Sequence, residues 1–127
     1  MEVNKTLMNA LGIEVITLEK GHVVATMPVD DRTRQPFGLL HGGASVALAE
    51  TVASVGAFQL IDQETEAAVG LEINANHVRG KKDGVVTATG TILHQGKTTM
   101  VWDIKITDED GKLICVSRCT MAVIKRK

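Results

Sequence analysis

An α+β fold, with an antiparallel sheet wrapped around one long helix, is what this sequence predicts, and three observations carry it. Residues 42–61 form a Pro-free stretch rich in Ala, Leu and Val, about five turns long at helical rise, with apolar residues on nearly every face. Two strand-like stretches precede it and four follow, joined by turn text that favours antiparallel hairpins. A sheet of that size has a face that needs cover, and the chain offers one apolar helix to cover it.

Taken in order, Asn4 or Thr6 can cap a short helix running through Leu11 and ended by Gly12. Residues 13–18 and 22–29 then read as a hairpin around Glu19-Lys20-Gly21. From Asp30 to Leu40 the text is polar and interrupted, a loop leading into the long helix. That helix is not a membrane span, because Ser45, Glu50, Thr51, Ser54 and Gln59 break its apolar run. Strand character returns at 68–78, 85–93, 98–107 and 113–124, with period-two alternation clearest where Met100, Trp102, Ile104 and Ile106 interleave with Asp103, Lys105 and Thr107. Residues 80–84 and 108–112 are turns between them. A sheet wrapped in this way is the hotdog architecture, in a single domain spanning 1–127.

The chain has 127 residues, 44% hydrophobic and 23% charged, which suits one globular domain. Fourteen Lys+Arg against fifteen Asp+Glu leave no basic field for nucleic acid or an anionic membrane. Two Phe, one Trp and no Tyr also remove the stacking platforms of single-strand binders, so the core must be aliphatic. So small a domain, with Gly, Ala and Val dominating its longest apolar stretch, gains from burial against a second copy; at least a dimer is expected. Cys115 and Cys119 lie in one strand, roughly 13 Å apart at strand rise, beyond disulfide reach. The N-terminus Met-Glu-Val-Asn-Lys has no signal-peptide pattern, and a cytoplasmic location is expected. His22, His41, His77 and His94 are too dispersed for a metal site, so none is expected.

The chemistry concentrates between Gln35 and Glu50. Glu50 is the only charged residue between His41 and Asp62, in a helix expected to be mostly buried, where an ionised carboxylate is costly unless a partner or substrate compensates. A structural reading, a Glu bonded to a neighbouring chain or facing a water pocket, weighs less than a functional one. Ser54, one turn later on the same face, can orient that carboxylate or a water, or bond its own helix backbone. His41-Gly42-Gly43 opens the helix, where the first amides lack intrahelical partners and a glycine lets an anionic oxygen approach. Gln35 and His41 can assist the same oxygen, or His41 can serve as the helix cap. The set fits acyl transfer, with donors for a thioester carbonyl oxygen and a carboxylate that attacks it or activates water. Gly42 and Glu50 are about 12 Å apart along the helix axis, whereas both must reach one reacting group, so the site is expected to be shared between two chains.

The segment from Gln35 to Glu50, with Gly70-Leu-Glu-Ile-Asn-Ala-Asn-His77-Val-Arg79, resembles the hotdog acyl-CoA thioesterases of the phenylacetate-pathway type, and among them the 1,4-dihydroxy-2-naphthoyl-CoA hydrolases of menaquinone synthesis. The resemblance covers nearly the whole chain. It implies Glu50 as nucleophile or general base, Gly42 N–H and Gln35 as carbonyl polarisers, and His41 and Ser54 in support. It further implies coenzyme A contacts at Gly70, at His77, Val78, Arg79 and Gly80, and at His94, Gln95, Gly96, Lys97, Thr98 and Thr99. Coenzyme A would enter as part of the substrate, with no resident cofactor, in a homodimer or a homotetramer built as a dimer of dimers. Arg79, Lys81, Lys82 and Lys97 flank strand ends where phosphates can meet cations, although Lys81 and Lys82 suit ordinary solvated turn charges better. Lys97-Thr98 departs from the Ser or Arg of relatives. Hotdog folds also host dehydratases and hydratases on acyl carriers and non-catalytic acyl-CoA binders. A dehydratase wants a His–acid pair, for which His41 can serve, but the motif argues against it; a sensor would need a further segment for DNA, for which the chain leaves no room.

Overall fold

A computed structural model describes residues 5–127 of the chain. The short helix α1 (Leu7–Leu11) is capped by Thr6, whose Oγ1 accepts the Asn9 N–H at 3.4 Å, and ends at Gly12 in the left-handed region, φ 74°. Asn4, the other candidate cap, lies outside the described residues. Strands β1 (Glu14–Glu19) and β2 (His22–Val29) form the expected hairpin. The long helix α2 (Gly42–Phe58) follows, then β3 (Glu66–His77), β4 (Gly84–Gln95), β5 (Thr99–Thr107) and β6 (Leu113–Lys125). All six strands join one antiparallel sheet in the order β1-β2-β4-β5-β6-β3, leaving β1 and β3 at the edges.

The sheet curls around α2 as the hotdog architecture requires. Alternate residues of β2, β4, β5 and β6 point inward, with Met27, Val86, Trp102, Ile104 and Met121 fully buried against Leu48, Val52 and Ala53 of the helix. Two glycines let helix and sheet approach closely. A Cβ at Gly56 would stand 2.4 Å from Trp102 Cη2, and one at Gly90 would stand 2.3 Å from Val52 Cγ1. Any larger side chain at either point would push the helix off the sheet. Cys115 and Cys119 are buried free thiols on β6.

Two expectations need correction. The helix stops at Phe58, three residues before Ile61, because the chain must turn to enter β3. Gln63 Nε2 donates to the Phe58 carbonyl at 3.0 Å, and the Thr65 and Glu66 amides close a turn on Asp62. Nor is α2 buried all round. Ala44, Ser45, Leu48, Ala49, Val52, Ala53, Gly56 and Ala57 face the sheet and are buried, but the opposite face is open, because the sheet supplies a layer on one side only.

Candidate active site

The loop before α2 is better organised than its polar sequence suggests. Thr33, 2% exposed, anchors it by donating from Oγ1 to the Pro28 carbonyl at 2.8 Å, and the His41 N–H returns to the Thr33 carbonyl at 2.8 Å. Between these ends Arg34 bridges Leu40, the Gln35 N–H bonds the Leu39 carbonyl, and a turn over Pro36-Phe37 closes through Gly38 N–H to Gln35 O, with Gly38 at φ 86°. Inside this turn the Gln35 side-chain oxygen accepts from the Phe37 N–H at 2.5 Å and the Leu39 N–H at 3.4 Å. With its oxygen engaged, the Gln35 amide offers its NH₂ group outward as a donor.

His41 caps α2, accepting the Gly43 N–H through Nδ1 at 2.7 Å, so its ring proton sits on Nε2. Its carbonyl takes the Ala44 and Ser45 amides. The capping reading of His41 holds, and the cap fixes the tautomer that leaves Nε2–H free to donate. Gly42 N–H is the one amide of this first turn left without a partner among the described residues. A Cβ at Gly42 would stand 3.0 Å from His77 Nε2, so a side chain here would require the His77 ring at the β3 end to give way by a few tenths of an ångström. Gln35, Gly42, His77, Val78, Arg79 and Gly80 line one cavity of about 360 Å³, with Ser45 at its floor. Ser45 is 1% exposed, a position that sequence reading treated only as a break in the apolar run.

Glu50 belongs to a different cavity. The open face of α2, from Gly43 to Phe58, lines an apolar groove of about 780 Å³ together with Leu7, Met8 and Ala68. Glu50 is half-buried there and has no hydrogen bond or ion pair among the described residues, so the expected deep burial does not occur within one chain. Its carboxylate lies over Gly70, where a Cβ would meet Oε2 at 2.5 Å. Thr51 Oγ1 donates back to Ala47 O at 2.7 Å, whereas Ser54 does not close on its own helix; it lines the groove, and its hydroxyl donates to the buried Met121 Sδ at 4.0 Å. Leu7 and Met8 of α1 form a wall of this groove, and no motif announced them.

The segments implied to contact coenzyme A lie at opposite ends of the sheet. His77 pairs with Cys115 beside the β5–β6 turn, while Gln95 pairs with Met100 and Thr99 with Ala122 at the other end. Arg79 and Lys97 are thus about 30 Å apart along the strand direction. One chain does not bring them together. Nor is the Lys81 ammonium available to a phosphate, since it is bound to Glu109 at 2.5 Å. Gly70 sits beside Glu50, and His94 and Gln95, beyond a β-bulge, are strand residues rather than loop.

A helix N-terminus with a directed amide and amide side chain, and a carboxylate on the open face of the same helix, define within this fold a site for thioester chemistry. The family model for the thioesterase superfamily matches residues 37–115, and the chain belongs to that superfamily as a thioester hydrolase. It is 53% identical over 121 residues to a 1,4-dihydroxy-2-naphthoyl-CoA hydrolase of Listeria monocytogenes, covering 95% of this chain and 98% of that one. To the protein of the same name in Escherichia coli it is 55% identical over 100 residues, 79% of this chain and 73% of that one. The Staphylococcus aureus thioesterase SAV0944, in a variant with a glutamate changed to alanine, superposes with a TM-score of 0.93 at 49% identity, covering 95% of this chain and all of that one. A second solved variant of that protein has a glutamine changed to alanine, and the two altered positions are as far apart in its sequence as Gln35 and Glu50 are here. Among the described residues no helix is long and apolar enough to cross a membrane.

Proposed function

We propose that this thioester hydrolase cleaves acyl-CoA thioesters, aryl thioesters such as 1,4-dihydroxy-2-naphthoyl-CoA among them, in sites each completed by two chains. The observation that supports it is the separation of donors from carboxylate: Gln35 and Gly42 line one cavity, next to the His41 cap, and Glu50, about 12 Å along the helix, lines another. Edge strand β3 runs beside Glu50 with Val69 and Leu71 exposed, a free backbone edge and apolar side chains that a second copy would cover. In such a pair, the Gly42 N–H and the Gln35 NH₂ of one chain polarise the thioester carbonyl, and they hold the oxyanion as the carbon becomes tetrahedral. Glu50 of the other chain attacks that carbon or deprotonates the attacking water. Collapse of the tetrahedral species expels the CoA thiolate, which takes up a proton; where water attacked, Glu50 gives its proton back to solvent, and where Glu50 attacked, a second water opens the acyl–Glu50 anhydride to release the acid and restore the carboxylate. The groove receives the acyl group, and its flat aliphatic walls with Phe58 suit an aromatic ring. Arg79, exposed and without an ion pair among the described residues, faces the nucleotide phosphates. Coenzyme A belongs to the substrate in this scheme, which calls for no resident cofactor or metal and suits a cytoplasmic enzyme in a dimer or a dimer of dimers.

Subunit complementation tests the shared site. Glu50→Ala and Gln35→Ala/His41→Ala homo-oligomers should each be nearly inactive. After refolding together at equal concentration, half of the dimers are mixed and each carries one intact site, which should return about a quarter of native activity for random two-fold pairing. Proven exchange without revival would place donors and carboxylate in one chain. Free-thiol release across a panel of aryl and fatty acyl-CoAs tests the acyl class; palmitoyl-CoA outpacing the aryl thioesters would overturn the aryl preference.

A further inference from the structure

The wall of the donor cavity that carries Arg79 is a connection, not a strand. Residues 78–83 cross from β3 to β4 with few main-chain ties: the Val78 N–H to Ile114 O at 2.9 Å, the Lys81 carbonyl to the Leu40 N–H at 2.7 Å, and the Lys82 carbonyl to Arg34 Nε at 2.9 Å. Lys81 is the joint among them. Its carbonyl holds Leu40, two residues before Gly42, and its ammonium donates to Glu109 Oε1 at 2.5 Å across the molecule's end. Although a lysine on a turn, its side chain is only 18% exposed. The other oxygen of the same carboxylate, Glu109 Oε2, accepts the Val85 N–H at 3.0 Å, where β4 begins. Glu109 therefore binds the connection on both sides of Asp83.

Neighbouring residues make room for this contact and aim it. Gly84 stands at φ 87°, and a Cβ there would meet Glu109 Oε2 at 2.0 Å, so no other residue fits beneath the carboxylate. Asp108 Oδ1 accepts the Asp110 and Lys112 amides at 2.9 Å each, folding the β5–β6 turn so that Glu109 projects toward Lys81. The ammonium of Lys81 and the Val85 amide hold the Glu109 carboxyl at about 2, so the contact stays charged at any pH used for assay.

We infer that Glu109 is a positioning residue of the thioesterase site: through Lys81 and Val85 it fixes the 78–83 connection, and with it the stance of Arg79 toward the nucleotide and of Leu40 before the helix N-terminus. This rests on the reading that Arg79 meets the nucleotide of an acyl-CoA. A carboxylate that merely stabilised the fold would change melting temperature and leave substrate discrimination alone. One that positions Arg79 changes the binding of the nucleotide half of the substrate.

The test compares Glu109→Gln and Lys81→Met with the native enzyme on an aryl-CoA and on the same acyl group carried by N-acetylcysteamine. Expected is a rise in KM of about threefold to tenfold for the CoA thioester, kcat within about twofold, and no change on the truncated thioester. The double variant should be no worse than either single one, because both remove one contact. Hydrogen exchange should quicken in peptides covering 78–85 and 38–42. Unchanged KM in both variants, or equal losses on both substrates, overturns the inference, as does unchanged exchange. Lys81→Met keeps the Val85 bond and decides the matter if Glu109→Gln fails to fold. Arg79→Ala separates the two ideas: if it leaves KM for the CoA thioester unchanged while exchange still quickens in the Glu109 variant, the clamp stands and the nucleotide assignment falls.

Discussion

The two faces that α2 presents to substrate are built on opposite principles. Its N-terminus is rich in local hydrogen bonds: His41 Nδ1 takes the Gly43 amide and the His41 carbonyl those of Ala44 and Ser45, Thr33 ties down the loop, and the Gln35 oxygen is held by Phe37 and Leu39. What remains directed at the cavity is a small set of donors with no freedom to turn away. Eight residues further on, Glu50 stands half-buried in an apolar groove with no partner among the described residues. Donors that stabilise a developing oxyanion work by being fixed before the reaction. A carboxylate that attacks or takes a proton needs an unoccupied lone pair and exclusion of water, and in the proposed pair a second chain supplies that exclusion.

Substitutions on the open face should therefore cost rate, and substitutions under the loop should cost stability. The largest effect is expected for Glu50→Gln, which keeps shape and removes the base: kcat should fall by at least about a hundredfold with the oligomer intact. Activity within a fewfold of native would end the assignment. Single-turnover hydrolysis in heavy-oxygen water then separates attack by Glu50, which leaves label in its carboxylate, from general-base catalysis, which does not.

Gly70→Ala probes the same carboxylate without touching it. The new methyl would occupy the place of Glu50 Oε2, displacing the carboxylate by an ångström or so, and kcat should drop by roughly tenfold to a hundredfold while KM changes little. If instead KM rises and kcat holds, Gly70 serves substrate contact, as the family resemblance implies, and not the seating of Glu50.

Thr33→Val tests the other region. It removes the hydroxyl that bonds Pro28 O in a buried setting, and should lower stability by about 1–3 kcal/mol, measured by urea unfolding, with a smaller loss of kcat as the Gln35 loop loosens. Unchanged stability would mean that the loop is held by its backbone bridge alone. The smallest effect concerns the sheet beneath Glu50. Burial, with the charges of Glu50 and Glu72 adding to it, pushes the Cys119 thiol up to about 11. Since the folded state keeps this proton longer than the unfolded chain, its contribution is intact below about pH 9 and lost as pH rises toward 11. Native enzyme at pH 8 should accordingly react with thiol reagents far more slowly than unfolded enzyme, and rapid labelling would show that the β6 core around Cys119 breathes.

Much of this molecule was legible in one dimension. Local signals suffice for hairpins and caps, so Gly12, the 22–29 strand and the start of α2 at Gly42 stand where composition and alternation put them, and the period-two strands expected over 98–107 and 113–124 stand within one residue of it. The helix C-terminus did not, because Phe58 and Ile61 are equally apolar and only the turn into β3, with Gln63 on the Phe58 carbonyl, ends it. The site divides in the same way. Gln35, Gly42 and Glu50 announce themselves by type and spacing on one loop and the helix that follows it. That α2 would be covered on one face only, that Gly70 would yield its side-chain space to Glu50, and that Lys81 would turn from solvent to Glu109 are relations between residues 20 or more positions apart. Sequence by itself determines what each segment can form, since periodicity, capping and turn chemistry act within a few residues. Which faces meet and which stay open is decided by the curl of the whole sheet, because contact between distant segments depends on register and twist that no local pattern encodes.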